Sequence, residues 1–74
     1  MPRGKIKAKT SPTQYSAAVE RALTILELLA DKGALGVGEV AKELGLAKST
    51  AHRLLETLRS KHFVEQIESS EKYS

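Results

Sequence analysis

The chain has 74 residues, a net charge of +3 and no cysteine. A chain of this length forms at most one small domain, so we expect no large active-site cleft and no enzymatic activity. Disulfides and thiolate zinc sites are excluded, and His52 and His62 lack companion ligands. We find neither an apolar run long enough to span a membrane nor a signal peptide, and therefore expect a cytoplasmic protein without a cofactor.

Positive charge is concentrated in two segments. Residues 1–15 carry +4, from Arg3, Lys5, Lys7 and Lys9. Residues 46–62 carry +3, from Lys48, Arg53, Arg59 and Lys61 against Glu56. The segments 16–45 and 63–74 each come to −2. Cations gathered on one surface favour a polyanion partner, although a solvated tail and a solvated helix face would give the same pattern.

Residues 1–15 are predicted to form a disordered basic arm. The segment contains Pro2, Gly4, Pro12 and lysines at alternate positions, and few large apolar residues are present to offset the entropy of ordering. The cations of this arm, in particular Lys5, Lys7 and Lys9, could enter a DNA minor groove or could only increase solubility.

A first helix is predicted from Ala17 to Asp31 or Lys32. Ser16 is a suitable N-cap, and Gly33 can stop the helix with a left-handed backbone. Apolar residues recur at spacings of three and four, which is the period of a helix with one buried stripe. The predicted stripe consists of Val19, Ala22, Leu23, Leu26, Leu29 and Ala30.

Two large apolar residues of this helix do not fall on the stripe. Ile25 and Leu28 lie roughly 100° and 160° from its centre at about 100° per residue. Either the domain wraps broadly around the helix, or this flank contacts a second subunit. The second possibility predicts a dimer interface made of Ala18, Ile25 and Leu28.

The next segment predicts two helices joined by a glycine turn. Helix 2 is expected from Val37 to Leu44, with Gly36 as N-cap, Glu39 as part of a capping box and Gly45 ending the helix. Its inward residues are expected to be Val40, Ala41 and Leu44. Helix 3 is expected from Ala47 to Lys61, after Leu46 anchors the turn. Two helices separated by such a turn are typical of a helix-turn-helix DNA-binding unit.

Helix 3 is predicted to have one apolar and one polar face. Ser49, His52 and Arg53 are expected to project away from the core, because they lie opposite the apolar side of the helix. That apolar side is made of Ala51, Leu54, Leu55 and Leu58. Long polar side chains on an exposed helix face are what reading a major groove requires.

A two-stranded hairpin is predicted after helix 3, with the polar residues 68–71 as its turn. Phe63, Ile67 and Tyr73 should pack against the helices, because an isolated ribbon is only marginally stable. A hairpin in this position is the wing of a winged helix. Lys72 and the tip at Ser69 and Ser70 could contact a DNA backbone, although the neighbouring glutamates oppose this.

Together these segments resemble the N-terminal DNA-binding domain of the IclR family of bacterial transcription regulators. The matching pieces are Val19–Leu23 with Ile25 and Leu26, Glu39–Ala41, Gly45–Leu55 with Thr57 and Leu58, and Val64 and Glu65 leading to Tyr73. The resemblance implies a three-helix winged helix-turn-helix, mostly α with a small β-hairpin, over residues 16–74. It further implies helix 3 in a major groove, and a homodimer, here through helix 1, on a pseudo-palindromic operator.

The chain departs from the family pattern at three positions. Gly36 stands where Ser or Thr is frequent, and Ala47 stands where Pro is usual. His62 stands where Gly is usual, which predicts a strained positive φ or an altered entry to the wing. Family members also carry a larger effector-binding domain. We expect the chain to be truncated before it.

The candidate DNA-binding residues are Lys48, Ser49, Thr50, His52, Arg53 and Arg21, together with the arm lysines Lys5, Lys7 and Lys9. The start of helix 3 can bind phosphate, and its alternative role is capping. Arg53 could contact phosphate or guanine, or could pair with Glu56 three residues later. The predicted function is sequence-specific DNA binding by a transcription regulator. A protein-interaction winged helix and a nonspecific nucleic-acid binder remain as alternatives.

Overall fold

The computed structural model describes residues 16–74, which form three helices followed by a two-stranded sheet. The elements are α1 (Ala17–Lys32), α2 (Val37–Leu44), α3 (Lys48–Ser60), β1 (Gln66–Ile67) and β2 (Lys72–Tyr73). The predicted fold class is therefore confirmed. The basic arm predicted for residues 1–15 lies outside the described residues. None of these three helices is long and apolar enough to cross a membrane.

Local signals set the ends of α1. The Ser16 hydroxyl accepts a hydrogen bond from the Val19 amide at 3.3 Å, as expected of an N-cap. Gly33 ends the helix with φ 84°, and its amide donates to the Leu29 carbonyl at 2.8 Å. A positive φ costs glycine little, because glycine has no Cβ. Both predicted boundaries are confirmed, but a ψ of −155° places Gly33 outside the left-handed helical region that was expected.

The turn between α2 and α3 is built around Gly45. This residue is in the left-handed region, with φ 67° and ψ 37°, and the next amide, of Leu46, donates back to the Ala41 carbonyl at 2.9 Å. At the other end of α2, the Gly36 amide donates to the Glu39 carboxylate at 2.8 Å. Glycine supplies no side chain for the reciprocal bond, so only half of the capping box is present.

Helix α3 is one residue shorter at each end than predicted, because Ala47 and Lys61 are its caps. Beyond Lys61 the His62 amide donates to Arg59 and the Phe63 amide to Leu58, both at 2.9 Å. These two bonds form a Schellman motif, which requires a left-handed residue after the C-cap. His62 occupies that position with φ 69°. The positive φ predicted from the histidine at this position is confirmed.

The wing, residues 64–74, is held to the rest of the domain by its second strand. β1 and β2 are antiparallel, with Gln66 opposite Tyr73 and Ile67 opposite Lys72. On its other side Tyr73 forms an isolated antiparallel bridge with Leu35, in the connection between α1 and α2. β2 is therefore paired on both sides, and the α1–α2 connection acts as a third strand.

The core lies where the three helices meet the wing. Tyr73, Ile25, Leu55 and Val40 have the largest fully buried side chains. The remaining buried residues are Leu29, Ala41, Ala51, Leu58 and Val64. This set confirms the predicted inward faces of α2 and α3, with Leu44 and Leu54 half-buried at the edge.

The predicted orientation of α1 is correct only in part: Leu29 is buried, and Ala22 and Leu26 are half-buried against the core, as predicted. Ile25, assigned to an exposed flank and to a dimer interface, is fully buried, whereas Val19 and Leu23 of the predicted stripe are 58% and 55% exposed. Ala30, also in that stripe, is exposed. The apolar residues of α1 cover a wide arc, and Val19, Leu23 and Ala30 lie roughly 120° to 160° around the helix from Ile25. The domain covers only the Ile25 and Leu29 side of this arc.

The predicted anchors of the wing are correct only in part. Tyr73 is fully buried, but Phe63 is 65% exposed and Ile67 is 38% exposed. Val64 is buried in their place. Val64 replaces them in the core because the Schellman turn and β1 orient its side chain inward and leave Phe63 and Ile67 on the surface.

Candidate DNA-binding interface

The outward face of α3 is polar, as the sequence predicts. Ala51, Leu55 and Leu58 are buried on one side of the helix. At roughly 100° per residue, the direction opposite their centre is occupied by Ser49, Arg53 and Ser60, with Thr57 beside them. All four of these residues are exposed. The helix therefore presents hydroxyls around one guanidinium, with the half-buried Glu56 at one edge of this face and Thr57 at the other.

Arg53 lies near the centre of this face and makes no ion pair with any of residues 16–74. The pair with Glu56 considered from the sequence is not formed. Glu56 instead accepts from Arg59, whose Nη2 lies 2.7 Å from Oε1 and whose Nε lies 3.2 Å from both oxygens. Arg53 therefore keeps its donors available on the exposed face.

Two hydroxyl residues of this face, Thr57 and Ser60, are not among the DNA-binding residues predicted from the sequence. The Thr57 hydroxyl donates to the Arg53 carbonyl at 2.8 Å, and the Ser60 hydroxyl donates to the Thr57 carbonyl at 2.7 Å. Their oxygens can still accept hydrogen bonds. The helical spacing in the sequence indicates both residues, because they follow Arg53 by four and seven positions and therefore lie on the same face of the helix.

The N-terminus of α3 is open. Its N-cap, Ala47, provides no side-chain hydrogen bond, so the first amides of the helix lack a capping acceptor. Lys48 and Ser49 are exposed beside these amides, and Thr50 is half-buried. Unpaired amides, the helix dipole and a cation together suit a phosphate oxygen.

His52 and Glu56 occupy the side of α3 between the outward face and the wing. His52 is exposed and lies one turn before Glu56. Hydrogen bonds from Arg59 and then from Tyr73 lower the pKa of Glu56 to about 2. This flank therefore holds a carboxylate that stays ionised and is largely neutralised by Arg59.

The tip of the wing carries both signs of charge. Ser69, Ser70 and Lys72 are exposed, and so are the two glutamates around them. The Ser70 hydroxyl accepts from the Lys72 amide at 3.4 Å, and Glu71 takes a positive φ of 59° to close the turn. Within residues 16–74, no cluster of three or more His, Asp or Glu side chains could hold a metal ion.

Comparison with known proteins establishes what kind of domain this is. The sequence model of the IclR helix-turn-helix domain matches residues 18–68, more than half of the chain. The chain belongs to the IclR helix-turn-helix family. It is thus a DNA-binding domain of the kind found in transcription regulators.

Individual relatives of this IclR domain are bacterial regulators. It is 47% identical over 57 residues to the glycerol operon regulatory protein of Streptomyces coelicolor, covering 76% of this chain and 22% of the relative. It is 38% identical over 65 residues to the acetate operon repressor of Salmonella typhimurium, covering 85% and 24%. The chain therefore spans about a quarter of the length of these relatives.

A solved structure confirms the winged-helix fold. The crystal structure of an IclR transcriptional regulator from Alicyclobacillus acidocaldarius superposes with a TM-score of 0.77 at 32% identity. The match covers 81% of this chain and 25% of the other.

In the IclR domain Arg21 lies beside a groove between α1 and α2. Arg21 is exposed on α1 and lines an open groove with residues of α1 and α2, namely Glu20, Thr24, Leu28, Glu43 and Leu44. No α3 residue lines this groove.

The three residues predicted as a dimer interface do not share one surface. Ala18 is exposed, Leu28 is half-buried in the groove beside Arg21, and Ile25 is inside the core. A second subunit cannot contact Ile25 without unpacking the domain. The large exposed apolar residues of α1 are instead Val19 and Leu23, which line a shallow open pocket with Ser16 and Glu20.

Proposed function

We propose that this IclR domain recognises a specific DNA operator by inserting the outward face of α3 into the major groove. In this arrangement Arg53 contacts a base edge, Ser49 and His52 contact bases or phosphates beside it, and Lys48 and Thr50 bind a phosphate at the start of the helix. The observation that carries the proposal is Arg53, which is exposed at the centre of a polar face and has no ion-pair partner among residues 16–74. Arginine is the side chain that most often forms paired hydrogen bonds with guanine.

The wing and the arm would contribute contacts outside the major groove. Lys72 and Ser70 are the exposed groups of the wing that can reach a phosphate, while Glu68 and Glu71 limit its affinity. Residues 1–15, with Lys5, Lys7 and Lys9, would add phosphate or minor-groove contacts. Deleting residues 1–15 should then flatten the dependence of binding on salt concentration. An unchanged slope would reduce the arm to a solubilising tail.

The DNA-bound form is proposed to be a homodimer on a pseudo-palindromic operator, with a regulatory role in transcription. The support is the exposed apolar side of α1, where Val19 and Leu23 leave more than half of their surface in solvent. Contiguous exposed apolar groups are typical of interaction sites. This proposal moves the interface from Ala18, Ile25 and Leu28 to Val19 and Leu23.

The selection of bound sequences from a random duplex pool tests the proposed function. The expected result is a consensus of two inverted half-sites about one helical turn apart, since each subunit presents one α3. A consensus without inverted symmetry would retain specific recognition and reject the dimer. A pool without any enriched sequence would reject recognition by α3 and favour the nonspecific alternative.

The dimer is tested separately by sedimentation of the chain in solution. Leu23→Glu places a charge on the exposed apolar side of α1 and should convert dimers to monomers. Thr24→Glu is the matched control, because Thr24 is exposed on another side of the same helix. Equal sedimentation of both variants and the wild type would reject this interface. If Leu23→Glu leaves DNA selection intact but blocks binding to another protein, the interaction-module alternative gains support.

A further inference from the structure

We infer that Glu56 is a positioning residue that fixes the wing against α3, so that Lys72 and Arg53 reach one DNA duplex in a defined relative position. This inference rests on the proposed DNA contacts of α3 and the wing. Glu56 itself is not proposed to touch DNA.

The Glu56 carboxylate is where α3 and the wing are joined. Its Oε2 accepts a hydrogen bond from the Tyr73 hydroxyl, and its Oε1 accepts from Arg59 Nη2 at 2.7 Å. Within residues 16–74, the Tyr73 bond is the only side-chain hydrogen bond between the wing and a helix. The Tyr73 ring is fully buried, so its hydroxyl has a fixed direction.

Tyr73 is also the residue through which the wing is held in place. Its amide and carbonyl pair with Leu35 at 2.7 and 2.9 Å, and its backbone is opposite Gln66 in β1. Lys72, the proposed phosphate contact, is the preceding residue. A change in where Tyr73 sits against α3 would therefore move Lys72 relative to Arg53.

A carboxylate on a DNA-binding helix weakens DNA binding unless its charge is neutralised. Glu56 lies one turn from His52 and next to the outward face, where a negative charge repels phosphates. Arg59 neutralises this charge and at the same time restrains the carboxylate for Tyr73. The arrangement uses one acid and one base of α3 to hold the wing, and it leaves Arg53 unpaired within the described residues.

Four single variants separate positioning from charge and from stability. Tyr73→Phe and Glu56→Ala remove the bond and leave the ring in place. Glu56→Gln keeps an acceptor for the hydroxyl but removes the charge. Glu65→Gln is the charge control, since Glu65 joins the wing pairing through its backbone only.

The decisive readout is the ratio of affinities for the selected operator and a random duplex, measured under conditions in which every variant is folded. We expect Tyr73→Phe and Glu56→Ala to lower this ratio about fivefold to tenfold, which corresponds to one hydrogen bond. Glu56→Gln should retain the ratio. An unchanged ratio in Glu56→Ala, with lower stability alone, would overturn the inference. The inference would also be overturned if Glu56→Ala, Glu56→Gln and Glu65→Gln all increased the affinity for the operator and for the random duplex equally.

A double-mutant cycle with Lys72→Ala tests the coupling directly. Lys72→Ala should weaken operator binding in the wild type and have a smaller effect in Glu56→Ala, because the wing is then no longer fixed. Additive losses would contradict the inference, as would a wild-type wing in which Lys72→Ala has no effect.

Hydrogen exchange tests the contact between Glu56 and Tyr73 in the absence of DNA. Glu56→Ala should speed exchange of the wing amides of Glu65, Tyr73 and Ser74 while the α1 and α3 amides stay protected. Unchanged wing exchange would overturn the positioning role even if the operator is recognised. Faster exchange together with an absence of operator discrimination would reject the proposed DNA contacts. It would still support the role of Glu56 in fixing the wing against α3.

Discussion

Leu35 and Tyr73 exchange two backbone hydrogen bonds, at 2.9 and 2.7 Å, although 38 positions separate them in the chain. This bridge ties the wing to the connection between α1 and α2, while the Tyr73 side chain reaches Glu56 on α3. A short hairpin is marginally stable alone. In this domain it is held by a buried aromatic ring and by pairing on both sides of β2.

The Leu35 bridge can be tested by a variant that removes its amide donor. Leu35→Pro lacks the amide that pairs with Tyr73, and should destabilise the domain by about 1–3 kcal/mol more than Leu35→Ala, which keeps the amide. Chemical denaturation measures both. Equal stability of the two variants would show that the side chain, not the backbone bridge, supports the wing.

The burial of Ile25 predicts a strong contrast between neighbouring positions on α1. Ile25→Ala should lower the free energy of unfolding by about 2–5 kcal/mol, because it leaves a cavity in the core. Leu23→Ala should change it by less than about 1 kcal/mol in the monomer, because Leu23 is more than half exposed. Urea denaturation at low protein concentration distinguishes them. Similar losses at both sites would contradict the observed orientation of α1.

His62 should be a site at which a single substitution stabilises the domain. A residue with a Cβ pays about 1–2 kcal/mol in the left-handed region that His62 occupies, and glycine pays little. His62→Gly should therefore raise stability by up to about 1 kcal/mol, because the greater entropy of the unfolded chain with glycine offsets part of the gain. Lys61→Gly, at a φ of −98°, should destabilise instead. Thermal unfolding that ranks the two variants the other way would contradict the strain at His62.

Glu56 predicts a specific loss of stability in acid. Hydrogen bonds from Arg59 and Tyr73 lower its pKa from 4.5 to about 2, so the ionised form favours the folded state. Its contribution is present above pH 4.5 and is lost as the pH falls from there towards 2. The difference in unfolding free energy between the wild type and Glu56→Gln should shrink across this window. A difference that stays constant with pH would show that the carboxylate is not stabilised by folding.

The features that could be predicted from the sequence are those set by local interactions. Ser16, Gly33 and Gly45 fix helix ends through their own caps and backbone angles, so the helix boundaries follow from nearby residues. The two faces of α3 also follow, because apolar and polar residues separate cleanly at the helical period.

The features that could not be predicted depend on distant contacts. The apolar arc of α1 is wider than the surface that the domain covers, and periodicity alone does not indicate which side is packed. Glu56 has an arginine three residues away in both directions, and the spacing alone does not indicate which one it binds. The Leu35 bridge involves a single residue, which leaves no repeating pattern to detect.

The central claim, that the outward face of α3 reads DNA sequence, is tested most directly by Arg53→Ala on the selected operator and on a random duplex at the same salt concentration. Loss of a base contact worth about 1–3 kcal/mol should reduce operator affinity roughly fivefold to 150-fold, with a much smaller effect on the random duplex. Lys61→Ala, a cation at the end of the same helix, is the control and should affect both DNAs alike. Equal losses on operator and random duplex with Arg53→Ala would contradict base recognition by this residue.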